Sequence, residues 1–441
     1  MAIKKIKLSN FKSFRDLEIE LGNFNVLIGA NASGKSNFIE IFRFIKDIKN
    51  HGLENAISNQ GSVKYFRNIA LGSSSDFRLE ITSDLPYKYV RQKDDELFGI
   101  ELNQVDYKLI LKFKDRGFDY TIQDDRLTQK YKFVRIDLDK KNEEDRFKDL
   151  GKGRIDVSIT NKDRLINFDC KISPKNIPIS EEDIFPQLFK MIKALGHKTS
   201  ILESPIFDVP RITSAFSDPF PGPFTVAPGF GINDFEPKIF DFDPRIAKKP
   251  MAITGPVDLS EDGSNLALVL KDILRSKNNR RKFSNLINDI LPFIVEMDVN
   301  MHGEKSIYLR IREKYPKLKK ERMPAFAISD GTINVAALIV ALFFEDSSLT
   351  IIEEPERNVH PYLISKIVDM MKDASQKKQI ITTTHNPEIV KYAGLENILF
   401  ISRDKNGFST ITRPSDNKAI QTFLEHELGI EELYVKDMLE L

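Results

Sequence analysis

The residues best equipped for chemistry lie near the amino end. The stretch Gly29-Ala30-Asn31-Ala32-Ser33-Gly34-Lys35-Ser36 satisfies the spacing G-x-x-x-x-G-K-[ST] in full. It follows an apolar run at 25–28, and beyond it Phe38, Ile41, Phe42, Ile45 and Ile48 recur at helical spacing. That context suits a phosphate cradle, in which backbone N–H groups of a loop and a helix start turn toward an anion with the helix dipole in support. Lys35 is expected to reach the β- and γ-phosphates of a nucleotide, and Ser36 to ligate Mg²⁺. Asn31, Ala32, Ser33 and Asn37 join Gly29 and Gly34 as the expected nucleotide contacts. The bland alternative, a chance Gly-rich turn before a helix, has to explain a complete motif with both flanks correct.

Three further sites carry reactive groups. Leu349-Thr-Ile-Ile352-Glu353-Glu354-Pro355-Glu356 reads as a buried strand ending in acids. One carboxylate at such a strand end holds Mg²⁺ through water and the next orients or deprotonates the attacking water, roles assigned to Glu353 and Glu354 respectively. The plain alternative is a solvated acidic turn. Ile381-Thr-Thr-Thr384-His385-Asn-Pro delivers a histidine to a strand end. Ligands of open parallel sheets sit at the carboxyl ends of the strands, so His385 is placed to donate to a γ-phosphate. Ile328-Ser329-Asp330-Gly331-Thr332 precedes an apolar helix through Val335, Leu338, Ile339 and Leu342. Ser329 and Gly331 there are either an anion site or a simple N-cap.

These groups need a sheet to hold them. Runs at 3–8, 17–21 and 25–28 read as strands. Tyr107, Leu109, Leu111 and Phe113 alternate with Lys108, Ile110, Lys112 and Lys114, and Phe118, Tyr120 and Ile122 alternate with Asp119 and Thr121 across a turn at 114–117, which predicts a hairpin. Ile155, Val157 and Ile159 add another strand. Ten of the 21 prolines fall between Pro205 and Pro256, where regular structure stops. Helices are expected at 264–275 and 282–291, and after Pro324 buried strands alternate with helices. The fold class is α/β: a P-loop parallel sheet with an antiparallel β lobe and a helical or irregular middle insertion. The segments are 1–204 and 324–412 as the two halves of the head, 205–323 as the insertion and 413–441 as a helical tail.

Composition closes some options. Lys plus Arg number 66 against 65 Asp plus Glu, so net charge points to no partner and any nucleic-acid contact must be local. The basic tracts at 275–282 and 314–322 are candidates, with solvated faces as the plainer reading. A single cysteine, Cys170, leaves no internal disulfide framework and suits a reducing compartment. There is no signal-peptide pattern at the start and no apolar run near the roughly 18 residues a membrane span needs. A cytoplasmic protein without a membrane partner is expected.

Taken in order, the phosphate loop, the Ser-x-Gly helix start, the acidic strand end with its following Glu and the strand-end His resemble the ABC ATPase series. The roughly 300 residues between loop and signature resemble the split heads of SMC and RecF-type proteins. Asn10-Phe-Lys12-Ser13-Phe14 resembles that group's adenine-side loop, and Asp262-Gly-Ser-Asn-Leu266 its middle-lobe tract. Ile352-Glu-Glu-Pro-Glu-Arg-Asn-Val-His-Pro361 is similar to OLD-like and RecF-like ATPases. The resemblance covers residues 1 to about 410. It implies Mg-ATP binding and slow hydrolysis in a head-to-head dimer or higher oligomer. Ser329 and Gly331 of one copy would close over the phosphate held by Lys35 of the other, with His385 as the switch. It differs in having Glu353 where Asp is usual, and Gln60 is the nearest candidate for the Q-loop. Phe423-Leu-Glu-His-Glu-Leu-Gly429 resembles the helix leading toward the Toprim nuclease of OLD proteins, and the chain stops at Leu441 where that domain's acids would begin. The expectation is an ATP-gated sensor or regulator in antiphage defence beside a separate effector such as a nuclease. A RecF-like DNA repair ATPase is the alternative, and a transporter subunit a more distant third.

Overall fold

The computed structural model describes residues 2–72, 75–93, 96–114, 119–137, 147–160, 166–175, 237–315, 321–416 and 434–435. The 115–117 turn, most of the proline-dense stretch, the centre of the second basic tract and the 423–433 tail segment lie outside the described residues.

The chain opens with strands β1 (Ala2–Phe11), β2 (Phe14–Glu20) and β3 (Phe24–Ile28), then helices α1 (Lys35–His51), α2 (Leu53–Asn59) and α3 (Val63–Phe66). Long strands follow: β4 (Phe77–Lys93), β5 (Glu96–Lys114), β6 (Asp119–Ile136), β7 (Phe147–Thr160) and β8 (Ile166–Ser173). After the undescribed stretch come β9 (Pro237–Phe240), α4 (Pro244–Ala247), β10 (Met251–Ala252), α5 (Leu266–Ile273), α6 (Lys277–Ile290), β11 (Ile294–His302), β12 (Ser306–Glu313) and β13 (Met323–Pro324). The last part alternates as expected: α7 (Asp330–Phe343), β14 (Leu349–Glu353), α8 (Ile364–Ser375), β15 (Gln379–Thr384), α9 (Pro387–Ala393), β16 (Ile398–Arg403) and β17 (Ser409–Thr412).

Two compact units divide these elements, and both are discontinuous in sequence. The first takes 1–21, 36–236 and 403–410, the second 22–35, 237–402 and 411–441. The first unit is built on a seven-stranded sheet in the order β2-β1-β4-β5-β6-β7-β8, antiparallel at every pairing. The β5–β6 hairpin read from the alternation is present, with Leu111 opposite Ile122 and Lys114 opposite Asp119. Tyr107, Leu109, Leu111 and Phe113 are buried while the intervening lysines line the other face. Four phenylalanines lock helix to sheet: Phe66 stands 5.3 Å from Phe11, 4.8 Å from Phe44 and 4.7 Å from Phe77. Tilted and edge-on rings at such separations add to area burial.

The second unit holds a five-stranded parallel run in the order β16-β3-β15-β14-β9. Thr382 pairs with both Val26 and Ile352, and Ile352 pairs with Phe240, so the strands are level with one another. Their carboxyl ends therefore share one edge. The central strands are buried on both faces up to the edge at Glu353, with Asn25, Thr350, Gln379, Thr382, Thr383 and Thr384 buried among their apolar residues. Helix α7 is apolar almost all round and buried from Thr332 to Leu342. Helix α8 is amphipathic instead, burying Ile364, Ile367, Val368, Met371 and Ala374. Strand β9 falls in the stretch read as an insertion, yet it completes this sheet beside β14. No helix among the described residues is long and apolar enough to cross a membrane.

Lys378 caps the carboxyl end of α7, its ammonium donating to the carbonyls of Ala341 and Glu345, both at 2.9 Å. Burial lowers its pKa to about 8, against the pull of Glu345 and Asp346. A lysine whose folded pKa lies below its unfolded one carries its full cost below the folded value, and sheds that cost as pH rises toward the ordinary 10.5. Wild type should therefore gain on Lys378→Met by about 1.4 kcal/mol per pH unit above pH 8. Denaturant midpoints of both proteins at neutral and alkaline pH check this, and a constant difference would show the lysine to be unshifted.

Candidate functional site

The loop after β3 is shaped by what surrounds it. A Cβ on Gly29 would stand 2.2 Å from the Ile401 carbonyl oxygen, so only glycine fits where the loop leaves the sheet. Ala32 is held at φ 62°, a conformation L residues seldom adopt and one that turns the loop back on itself. Lys35 opens α1 and folds over the loop, donating to the carbonyls of Gly29 at 2.7 Å and Ala30 at 3.0 Å. Burial lowers its pKa, opposed by the carboxylates of Glu354 and Glu356. Ser33 and Gly34 are buried, while Asn31, Ala32 and Ser36 are exposed and Asn37 is partly so.

β14 ends at Glu353, and the chain then turns through Glu354 at φ 45°. Such a value in a non-glycine residue stores strain, and the neighbours enforce it: the Glu354 N–H donates to the Thr383 carbonyl on β15 at 3.0 Å. One carboxylate oxygen of Glu354 lies 2.9 Å from His385 Nδ1 and the other accepts from Arg357 at 3.2 Å. Burial would raise the Glu354 pKa, but the bonds from Arg357 and His385 outweigh it and hold the carboxyl below its usual range. Facing an ionised carboxylate, Nδ1 of His385 carries hydrogen. While that pair persists, His385 donates to a phosphate through Nε2 only as the imidazolium. Arg357 also donates to Asp241, just beyond β9, at 2.7 Å.

Glu356 lies beneath this layer. Its pKa is raised by burial, one oxygen accepts from the Thr384 hydroxyl, and the other is buried with no hydrogen-bond partner. Thr384 also accepts from the Asn386 N–H at 2.9 Å, so Glu356 and Thr384 fasten both sides of His385 to the β14 end.

Ser329 is the N-cap of α7, accepting from the Thr332 N–H at 3.2 Å. Gly331 presses on the turn after β14, where a Cβ would meet the Asn358 carbonyl oxygen at 2.4 Å. Asn334 donates to the carbonyls of Pro355 at 3.1 Å and Arg357 at 2.8 Å. The Ser-x-Gly helix start is thus tied to the acidic turn within one unit.

The adenine-side and Q-loop candidates belong to the other unit. Asn10 is 1% exposed, with its amide accepting from the Asn68 N–H at 3.0 Å and donating to the Ser75 carbonyl at 2.5 Å. Those bonds hold the β1–β2 turn. Lys12, at φ 46°, pairs with Glu40 at 3.5 Å. The buried Ser13 hydroxyl accepts from Asn37 at 2.8 Å and from Ser409 at 2.8 Å. Gln60 caps α2 and is buried. Of the first basic tract, Arg275 pairs with Asp272, Arg280 binds the Leu274 carbonyl and Lys282 the Phe343 carbonyl. In the second, Arg322 is spent on Glu296 and Asp298.

The geometry fits a nucleotide with a divalent ion. The loop offers a lysine ammonium held only by backbone carbonyls, which an anion can replace. Among the described residues no group of three or more His, Cys, Asp or Glu is arranged to hold a metal. A hydroxyl, a carboxylate and the oxygens of a phosphate ligand make the mixed oxygen shell that Mg²⁺ favours. Arg357, Asp241 and the Glu356–Thr384 bond were not foreseen from the sequence. The run Lys238-Ile239-Phe240-Asp241 does end an apolar pair in an acid, the same signature as the other strand ends.

Comparison with known proteins agrees with this picture. A family model described as "AAA ATPase domain" matches residues 1–210, and one described as "AAA domain, putative AbiEii toxin, Type IV TA system" matches 215–391. The DNA replication and repair protein RecF of Lactococcus lactis subsp. cremoris (strain MG1363) is 36% identical over 52 residues, and that of Pediococcus pentosaceus is 40% identical over 52. Each match covers 12% of this chain and 14% of the relative, so the chain spans about a seventh of the length of these proteins. Among solved structures, an SMC head bound to the C-winged helix domain of ScpA aligns with TM-score 0.44 and 13% identity, covering 93% of this chain and 98% of that one. The SMC head domain from Thermotoga maritima aligns with TM-score 0.41 and 13% identity, covering 94% and 99%. Residues 1–210 and 215–391 are thus each similar to AAA-type ATPase domains.

Proposed function

We propose that this ATPase binds Mg-ATP at the Gly29–Ser36 loop, hydrolyses it slowly and uses the bound state to hold two copies head to head as a regulatory switch. The observation that carries this is the shared edge. Parallel strands β3, β15 and β14 bring the phosphate loop, His385 and the Glu353–Glu354 pair to one line of carboxyl ends. Lys35 would bind the β- and γ-phosphates, and Ser36 with Glu353 would hold Mg²⁺. When bound, that ion neutralises charge on the phosphate oxygens. Glu354, ionised and oriented by Arg357, would accept the proton of a water lined up on the γ-phosphate. His385 would report the phosphate to Glu354 through their shared bond.

Ser329 and Gly331 would meet the phosphate held by a second copy, which makes nucleotide a condition of assembly. The words "putative AbiEii toxin, Type IV TA system" in the description of the 215–391 model support a place in antiphage defence, and a separate effector such as a nuclease is proposed as the partner. The RecF matches favour a second reading, a DNA-bound repair ATPase. The internal bonds that occupy most of the first basic tract weigh against a DNA face there. The cytoplasm is the proposed compartment.

Solution mass measured with and without Mg-ATP tests the switch. A gain of mass with nucleotide is the expected result, and a mass indifferent to nucleotide would separate assembly from ATP. Duplex DNA added to the same samples distinguishes the two readings, since only the second predicts a nucleotide-dependent DNA complex.

A further inference from the structure

Beside the start of α7 lies a cavity of about 520 Å³, within the roughly 300–1,000 Å³ of small-molecule sites. It belongs wholly to the second unit, and of the motifs only the Ser-x-Gly helix start reaches it, through Asp330. Arg245, Lys248 and Lys249 line one side. Lys248 is paired with Asp330, the one carboxylate lining the cavity. Arg245 and Lys249 are exposed, and neither side chain has a partner among the described residues. Three cations against one carboxylate leave a surplus of two positive charges. The lining is also aromatic: His302 meets Tyr308 edge-on at 6.0 Å, and Phe326 is 80% exposed.

An exposed phenylalanine ring and surplus cations lining one cavity suit a ligand with both a flat ring and a phosphate. A phosphate monoester carries close to two negative charges at neutral pH, which matches the surplus. Base stacking on aromatic side chains is general to all nucleobases. We infer that this cavity binds a nucleoside monophosphate, its phosphate on Lys248, Lys249 and Arg245 and its base against Phe326 and Tyr308. The chemistry is shared by a free nucleotide and by the 5′-phosphorylated end of a nucleic acid strand. Occupancy also has a consequence for the neighbouring helix. Asp330 stands between Ser329 and Gly331, so a phosphate that draws Lys248 away from Asp330 alters the charge at the Ser-x-Gly turn. The binding itself does not rest on the proposed role of that turn.

The chain contains no tryptophan, so Phe326→Trp places a single reporter in the cavity. In a Lys35→Ala background the phosphate loop is removed from the measurement. AMP and a 5′-phosphorylated dinucleotide are titrated separately, with adenosine as the uncharged control. A saturable change in emission with either phosphorylated probe, weak with adenosine, is expected, and the probe that responds identifies the source. Replacing Lys248 and Lys249 together by Ala should weaken that binding about tenfold or more, the worth of a charge-assisted bond. Arg245→Ala, at an exposed position, should weaken it too if the double variant does not fold. Equilibrium dialysis of labelled AMP against the Lys35→Ala protein, with Phe326 intact, guards against an effect of the reporter. No saturable response to either probe, or a response untouched by loss of the cations, would overturn the assignment.

Discussion

Lys35→Ala should abolish measurable nucleotide binding while leaving the fold intact. In the unliganded loop the ammonium rests on the Gly29 and Ala30 carbonyls. Ala30 is exposed and its carbonyl can turn to water when the side chain is removed, while the buried Gly29 loses one partner, so melting temperature should fall only slightly. A phosphate ligand has no such substitute. Lys35 is partly buried and its charged form is disfavoured by that burial, with Glu354 and Glu356 pulling the other way. The cost of holding this charge is already met in the folded chain, and a phosphate that arrives gains the full charge-assisted bond. Losing such bonds to two phosphate groups at roughly 1.5–3 kcal/mol each weakens binding by on the order of a hundred- to ten-thousand-fold. Equilibrium binding of Mg-ATP measures it directly. Near wild-type affinity in a folded variant would remove the Gly29–Ser36 loop as the nucleotide site, whatever its motif.

The contrast between that lysine and its partners shows what a sequence makes legible. The loop could be read because its logic is local: a strand, eight residues and a helix, all adjacent in the chain. The strand ends at Glu353 and His385 could be read because short β-branched runs, at 350–352 and 380–384, each stop at a charged or titratable residue. Helix α6 starts at Lys277, five residues before the expected 282, because Ser276 caps it and its first turn is polar and exposed. Apolar periodicity has no purchase on such a turn. β9 is four residues long in proline-dense surroundings, and it is a strand because β14 offers it an edge. Arg357 and Asp241 are 116 residues apart and meet only through that pairing. Asn10 shows the converse. Its type and place resemble a nucleotide contact, yet its side chain is consumed in holding its own turn, a matter of what folds against it rather than of its neighbours in sequence.

Those long-range contacts converge on one side chain, and Glu354→Gln is where their effect should be largest. Both oxygens of Glu354 are engaged, by His385 at 2.9 Å and Arg357 at 3.2 Å, and the backbone beneath is pinned at φ 45° by the bond to Thr383. Glutamine has the same shape and keeps one acceptor, so the turn should survive and Mg-ATP should still bind. What it lacks is the capacity to take a proton. The low pKa of Glu354, set by Arg357 and His385 against burial, keeps the carboxylate ionised and ready through the neutral range. Removing a positioned general base slows a reaction by roughly a hundred- to ten-thousand-fold. Turnover should therefore collapse while affinity stays near wild type. If nucleotide gates assembly, the same variant should accumulate the nucleotide-bound dimer, since the step that would release it is blocked. ATP turnover and solution mass in Mg-ATP, measured on one preparation, keep the two claims apart. Normal turnover would mean that another group activates the water and that the strain at Glu354 serves only the turn. Lost turnover without a gain in mass would place Glu354 correctly in the chemistry and leave assembly to something other than ATP.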